Sequence, residues 1–168
     1  FGFGLGSLIS SVGDGISYEE FVGTGMVAMA VLFSSAMPSM FGTFVKYSFQ
    51  RTYDAILAAP VDTEELVSAE MLWIGCRASV YGCVPLLVTI LFGLDPAWGM
   101  LLTPVFCLAT ALGFAGFGVA MAATVSKIDQ FNYVTALFVT PLFLVSGAFF
   151  PISGLPEGLQ VVAQLNPL

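Results

Sequence analysis

Hydrophobic positions in this chain run on for whole segments and do not alternate with polar ones. Phe21–Val45 carries no charge, Met71–Leu94 carries only Arg77, and Pro96–Ser126 and Gln130–Pro156 carry none. Apolar runs of about 20 residues or more are long enough to cross a bilayer as helices, which satisfy their own backbone where water cannot. A strand barrel would require alternation with a period of two, and the runs lack it. The pattern predicts full spans at about 21–45, 71–94, 99–125 and 130–150. The opening stretch, FGFGLGSLISSVG, has 13 residues, about 20 Å of helix. It is expected to be the outer end of a partial span at about 1–12. It lacks the basic segment and small-residue cleavage pattern of a signal peptide.

Composition agrees with that reading: 58% of residues are hydrophobic, 9% are charged, and the mean hydropathy is +0.96. The expected fold class is an all-α integral membrane protein, a single polytopic helical bundle in the lipid bilayer. A net charge of -7 with four Lys and Arg residues argues against nucleic acid as a partner, because phosphate binding needs clustered cations. Histidine is absent, and Cys76, Cys83 and Cys107 lie in apolar runs without a CxxC pair, so they read as small buried hydrophobes and not as metal ligands. No catalytic residue is expected. Ser-His and Cys-His pairings need a histidine, and the acids at Asp14 and Asp54 fall in loops, out of order for an intramembrane aspartyl protease.

The basic residues bear on orientation. Lys46 and Arg51 follow the span at 21–45, Arg77 lies near the start of the next, and Lys127 follows the span at 99–125. All four fall on one side of an alternating topology. The opposite loops hold Asp14, Glu19, Glu20, Asp95 and Glu157 and no Lys or Arg. Cytoplasmic loops carry the excess of Lys and Arg, which places the loop at 46–70 in the cytoplasm.

That loop is longer than a connector needs. Arg51–Ala59 is predicted to form a short helix with Tyr53, Ile56 and Leu57 on one apolar face, stopped by Pro60. Asp62 and Glu65 then have capping-box spacing, with Glu64 and Glu65 in a first turn that favours negative charge. The helix they open is expected to run unbroken into the span at 71–94. At the far end, Pro151 and Pro156 are expected to break the last helix at the outer surface. They would start a re-entrant hairpin over 151–168, in which Leu155, Leu159 and Val162 line one face.

Two features within the spans stand out. Arg77 lies about one turn inside its span, where charges are functional candidates; Trp73 one turn back reads as an interface anchor and Glu70 two turns back as its partner. Small residues at Ala109, Gly113, Gly116, Ala120 and Thr124 allow close helix approach, inside the bundle first and at a dimer interface second.

The segments QRTYDAILAAPVDTEELVSAEMLW and FNYVTALFVTPLFLVSGAFFPISGLPEGLQ resemble the permease subunits of type-2 ABC exporters. Within that family the similarity is greatest to the nodulation protein J branch, associated with lipo-oligosaccharide export. It rests on an R-T-Y/W-x-A-x-L-x-x-P stretch in the loop and an S-G-x-F-F/V-P-x-x-x-L-P stretch after the last span. The resemblance implies six helices, the first and last incomplete in this sequence, and two permeases, expected as a homodimer, with two ABC ATPase subunits. It assigns Arg51, Tyr53, Asp54, Ile56, Leu57 and Pro60 to a coupling element seated on the ATPase. Pro151, Leu155, Pro156 and Leu159 fall to the outer hairpin.

The residues agree on one independent point: there is no GxxxxGK[ST] loop, so no cofactor is expected on this chain, and ATP with its Mg belongs to the partner. The expected function is the permease subunit of an ATP-driven exporter in the prokaryotic plasma membrane. Its substrate would be amphipathic: a lipo-oligosaccharide, polysaccharide, lipid or drug. The rivals are an ATP-independent carrier or channel, which would want ionisable groups or broken helices at mid-membrane, and a non-transporting scaffold or sensor.

Overall fold

The computed structural model of the chain describes residues 11–12, 16–91, 98–148, 160, 163 and 166. Two short extended pieces, β1 (Ser11–Val12) and β2 (Ile16–Ser17), pair antiparallel ahead of the first helix. Of the partial span expected at 1–12, residues 1–10 lie outside the described residues and Ser11–Val12 is strand, not helix.

The first rod is α1 (Tyr18–Met37), which continues through π-helical turns at Pro38–Gly42 and Val45–Phe49. Proline lacks the N–H that an α turn needs and its ring crowds the carbonyl four residues back, so the helix widens at Pro38. The rod extends four residues past the expected end, and Lys46 is therefore helical. After α2 (Thr52–Ile56), α3 runs unbroken over Thr63–Leu91. Its start is held by the Glu65 side chain, which accepts from the Asp62 backbone N–H at 3.2 Å, and by Leu66 N–H donating to the Asp62 carbonyl at 3.1 Å. A 3-10 turn at Trp98–Leu102 leads into α4 (Thr103–Thr124). The last rod joins α5 (Gln130–Val134), a π turn at Thr135–Val139 just before Pro141, and α6 (Thr140–Val145).

Among the described residues three helices, Phe21–Phe49, Thr63–Leu91 and Trp98–Thr124, are long and apolar enough to cross a membrane, and Gln130–Val145 is a shorter apolar helix. The α1, α3 and α4 rods pack on one another pairwise. Small residues face inward: Gly75, Ala78 and Gly82 of α3 and Ala111, Ala115, Gly118 and Ala122 of α4 are buried, while Leu72, Trp73, Val80, Tyr81 and Leu87 point out. That inversion suits lipid, where large apolar side chains lose nothing outside and small ones let backbones approach. At the α1–α4 crossing, Ser39 Oγ reaches the Phe114 carbonyl at 3.4 Å, and a Cβ on Gly118 would overlap the Ser39 side chain.

The last rod lies antiparallel to α1, its ends marked by ring pairs. Phe41 and Phe44 pack against Phe131, tilted and edge-on, with centroids 5.0 and 5.4 Å apart, and Phe33 meets Phe143 edge-on at 5.7 Å. Gly23 against Thr89 and Gly82 against Val31 likewise make α1 and α3 antiparallel. Lys46, Arg51 and Lys127 consequently share one end of the bundle, called here the loop end.

Two expectations are corrected. The predicted small-residue stripe does not pack inside: Ala109, Gly113, Ala120 and Thr124 are exposed and Gly116 is half-buried. The helix is rich in small residues all round, so spacing alone did not say which stripe α1 would cover. The last helix does not run to 150 either. Ser146 caps it, donating from Oγ to the Phe143 carbonyl at 2.6 Å, and Gly147 then turns left-handed with φ 82°. Glycine ends this helix before Pro151 is reached. The hairpin positions Pro151, Leu155, Pro156 and Leu159 lie outside the described residues. Beyond them, Asn166 Nδ2 donates to the Leu142 carbonyl at 2.8 Å, bringing the chain back onto α6.

Candidate functional site at the loop end

The turn into α2 is made by Arg51, which adopts φ 52° and ψ 27°. A left-handed arginine carries backbone strain that the surroundings must hold. Here the Arg51 carbonyl accepts from Ala55 N–H at 3.3 Å, and its guanidinium pairs with Asp54 at 3.2 Å. That ion pair is exposed and worth little in stability; its geometry orients the first turn. The helix is shorter than the predicted Arg51–Ala59. It closes at Leu57, whose N–H donates to the Tyr53 carbonyl at 2.9 Å, and turns carry the chain past Pro60.

The predicted apolar face divides in two. Ile56 and Leu57, 37% and 40% exposed, look away from the bundle. Tyr53 turns inward, half-buried, with its hydroxyl beside the Thr43 hydroxyl and the Glu70 carboxylate. Neither hydroxyl completes a hydrogen bond. Burial, and then the Glu70 charge, raise the Tyr53 pKa above its ordinary 10.0, so the phenol stays neutral and a donor at physiological pH.

Glu70 is engaged elsewhere than predicted. Its Oε1 lies 2.6 Å from Lys46 Nζ, tying α3 to α1, and its side chain is only 13% exposed. Arg77, two turns further along α3, therefore lacks the expected partner. Its Nε is buried without a hydrogen bond, while Trp73 four residues back is exposed on the outer face. Thr43 was missed from sequence because it was read as the tail of a span, and Lys46 because it was read only as a loop charge that sets orientation. The usable signal was that Lys46 and Glu70, opposite in charge, stand where the two apolar runs flanking the loop end and begin.

Among the described residues no three His, Cys, Asp or Glu side chains converge as metal ligands. A cavity of about 410 Å³ lies at the opposite end of the bundle between Leu86, Ile90, Trp98, Met100 and Pro104. Its described walls are mainly apolar, with Cys83 among them.

Fold and loop end together define a polytopic helical membrane protein that presents a short strained helix between two of its spans. The chain belongs to the ABC-2 type transporter family, whose model matches residues 1–168. It is 33% identical to nodulation protein J of Sinorhizobium fredii and 34% identical to that of Rhizobium meliloti, over 99% of this chain and 63% of each relative. It is 26% identical to the inner membrane transport permease YadH of Escherichia coli, over 98% of this chain and 65% of that protein. The chain thus spans a little under two thirds of the curated relatives it matches. No solved structure matches it.

Proposed function

We propose that this chain forms part of the permease of an ATP-driven exporter, which passes an amphipathic substrate out through the plasma membrane. The loop end faces the cytoplasm, and α2 seats on a separate ABC ATPase subunit that binds ATP and Mg. The carrying observation is the pair Ile56 and Leu57, held outward on a helix too short to persist alone and aimed by a strained arginine. Family membership and the missing phosphate-binding loop support the same division of labour. The outward stripe of Ala109, Gly113 and Ala120 supports close approach by a second permease copy, as in a homodimer.

Burying an apolar side chain of this size is worth about 1.5 to 3 kcal/mol, so Ile56→Ser with Leu57→Ser weakens docking by on the order of a hundredfold. Co-purification of the ATPase with the variant measures it. Normal binding at normal abundance would mean that this face packs on lipid or on its own chain, and that α2 does not couple.

A further inference from the structure

A five-residue helix cannot transmit motion unless something fixes it to the spans it is meant to move. In this protein three rods meet around one carboxylate. Glu70 of α3 ion-pairs with Lys46 at the end of the α1 rod at 2.6 Å, and lies beside the Tyr53 hydroxyl of α2. Thr43, one turn before Lys46 and buried, presents the second hydroxyl to the same place. The Tyr53 and Thr43 oxygens are buried, adjacent to acceptors, and unbonded. A buried donor next to an ionised acceptor gains much from a small shift that completes the bond.

We infer that Tyr53 and Glu70 are positioning residues that latch α2 to α1 and α3, so that displacement of α2 is carried into both spans through Glu70 and its Lys46 partner. The inference rests on the coupling role proposed for α2. Docking is left to Ile56 and Leu57, and transmission falls to the inward residues of the same helix. The Tyr53 hydroxyl faces the Glu70 carboxylate, and the Thr43 hydroxyl faces the Tyr53 oxygen.

The test uses the full permease with its ATPase in proteoliposomes. Cys76, Cys83 and Cys107 are replaced, and a single cysteine is placed at Gly99, which is exposed at the opposite end of the bundle. The readout is the rate of labelling by a charged maleimide with and without Mg-ATP. Tyr53→Phe removes one oxygen and keeps the ring, and Glu70→Gln keeps the shape and removes the charge. Each is expected to retain the bound ATPase and to reduce the nucleotide-dependent change in labelling roughly tenfold, the value of one charge-assisted hydrogen bond. The double variant is expected to be no worse than Glu70→Gln alone, because that change already removes the charge that Tyr53 faces as well as the Lys46 pair. An undiminished response in Tyr53→Phe overturns the latch, as do single losses that multiply in the double variant. A merely structural role would lower thermal stability and leave the response of the surviving complex intact, which also overturns it. If no ATPase binds the unmodified permease, the coupling reading itself fails, and that is seen before any variant is compared.

Discussion

Gly118 sits where the first rod crosses α4, and its missing side chain is what lets Ser39 and the Met40 backbone into contact. Gly113, on the same helix, faces open space. Gly118→Leu should therefore cost about 1 to 3 kcal/mol or more, because one neighbour is backbone and cannot yield. Gly113→Leu should cost only a few tenths, or gain slightly from helix propensity. Thermal unfolding midpoints in detergent compare the two, and equal effects would mean that α4 is rotated relative to the packing described. The sequence reading placed Gly113 in a small-residue stripe and did not single out Gly118. Which face is covered depends on where Ser35 and Ser39 of α1 land, a matter of packing between residues about 75 positions apart.

Among the elements, α3 was the most legible, since the capping pair Asp62 and Glu65 announces its start and no later signal stops it before the span. The last rod was less so, because proline is a stronger punctuation mark in sequence than the glycine that ends the helix here. Replacing Pro151 and Pro156 should leave the end of α6 in place. Gly147→Val, by contrast, forces a β-branched residue to φ 82° and should cost about 1 to 2 kcal/mol. Hydrogen exchange of the 143–148 amides, together with the unfolding midpoint, reads both. Protection spreading past residue 148 in the double proline variant would restore proline as the stop. The α2 element was legible as a short helix before a proline. Its division into an outward Ile56–Leu57 and an inward Tyr53 was not, because a period of three to four assigns residues to a face and says nothing of how wide that face is or what lies behind it.

At the scale of the whole molecule, antiparallel packing brings Lys46, Arg51 and Lys127 to one end, the arrangement that the distribution of basic residues requires if that end is cytoplasmic. With the native cysteines replaced, single cysteines at Asp14 and Asp95 should react with an impermeant thiol reagent outside intact cells, and one at Glu64 should not. Reaction at Glu64 alone would invert the topology and place α2 where no ATPase can reach it. The sequence by itself determined that this protein lives in lipid and that its long apolar runs are helices. Those properties follow from transfer free energies and backbone satisfaction, which act on each segment locally whatever its neighbours do. Only the tertiary structure decided that Glu70 belongs to Lys46 and not to Arg77, that Ser39 opposes Gly118, and that Tyr53 faces inward. Each of those pairings joins different rods, and their identity is set by rotation and register between helices, which chain order does not encode one segment at a time.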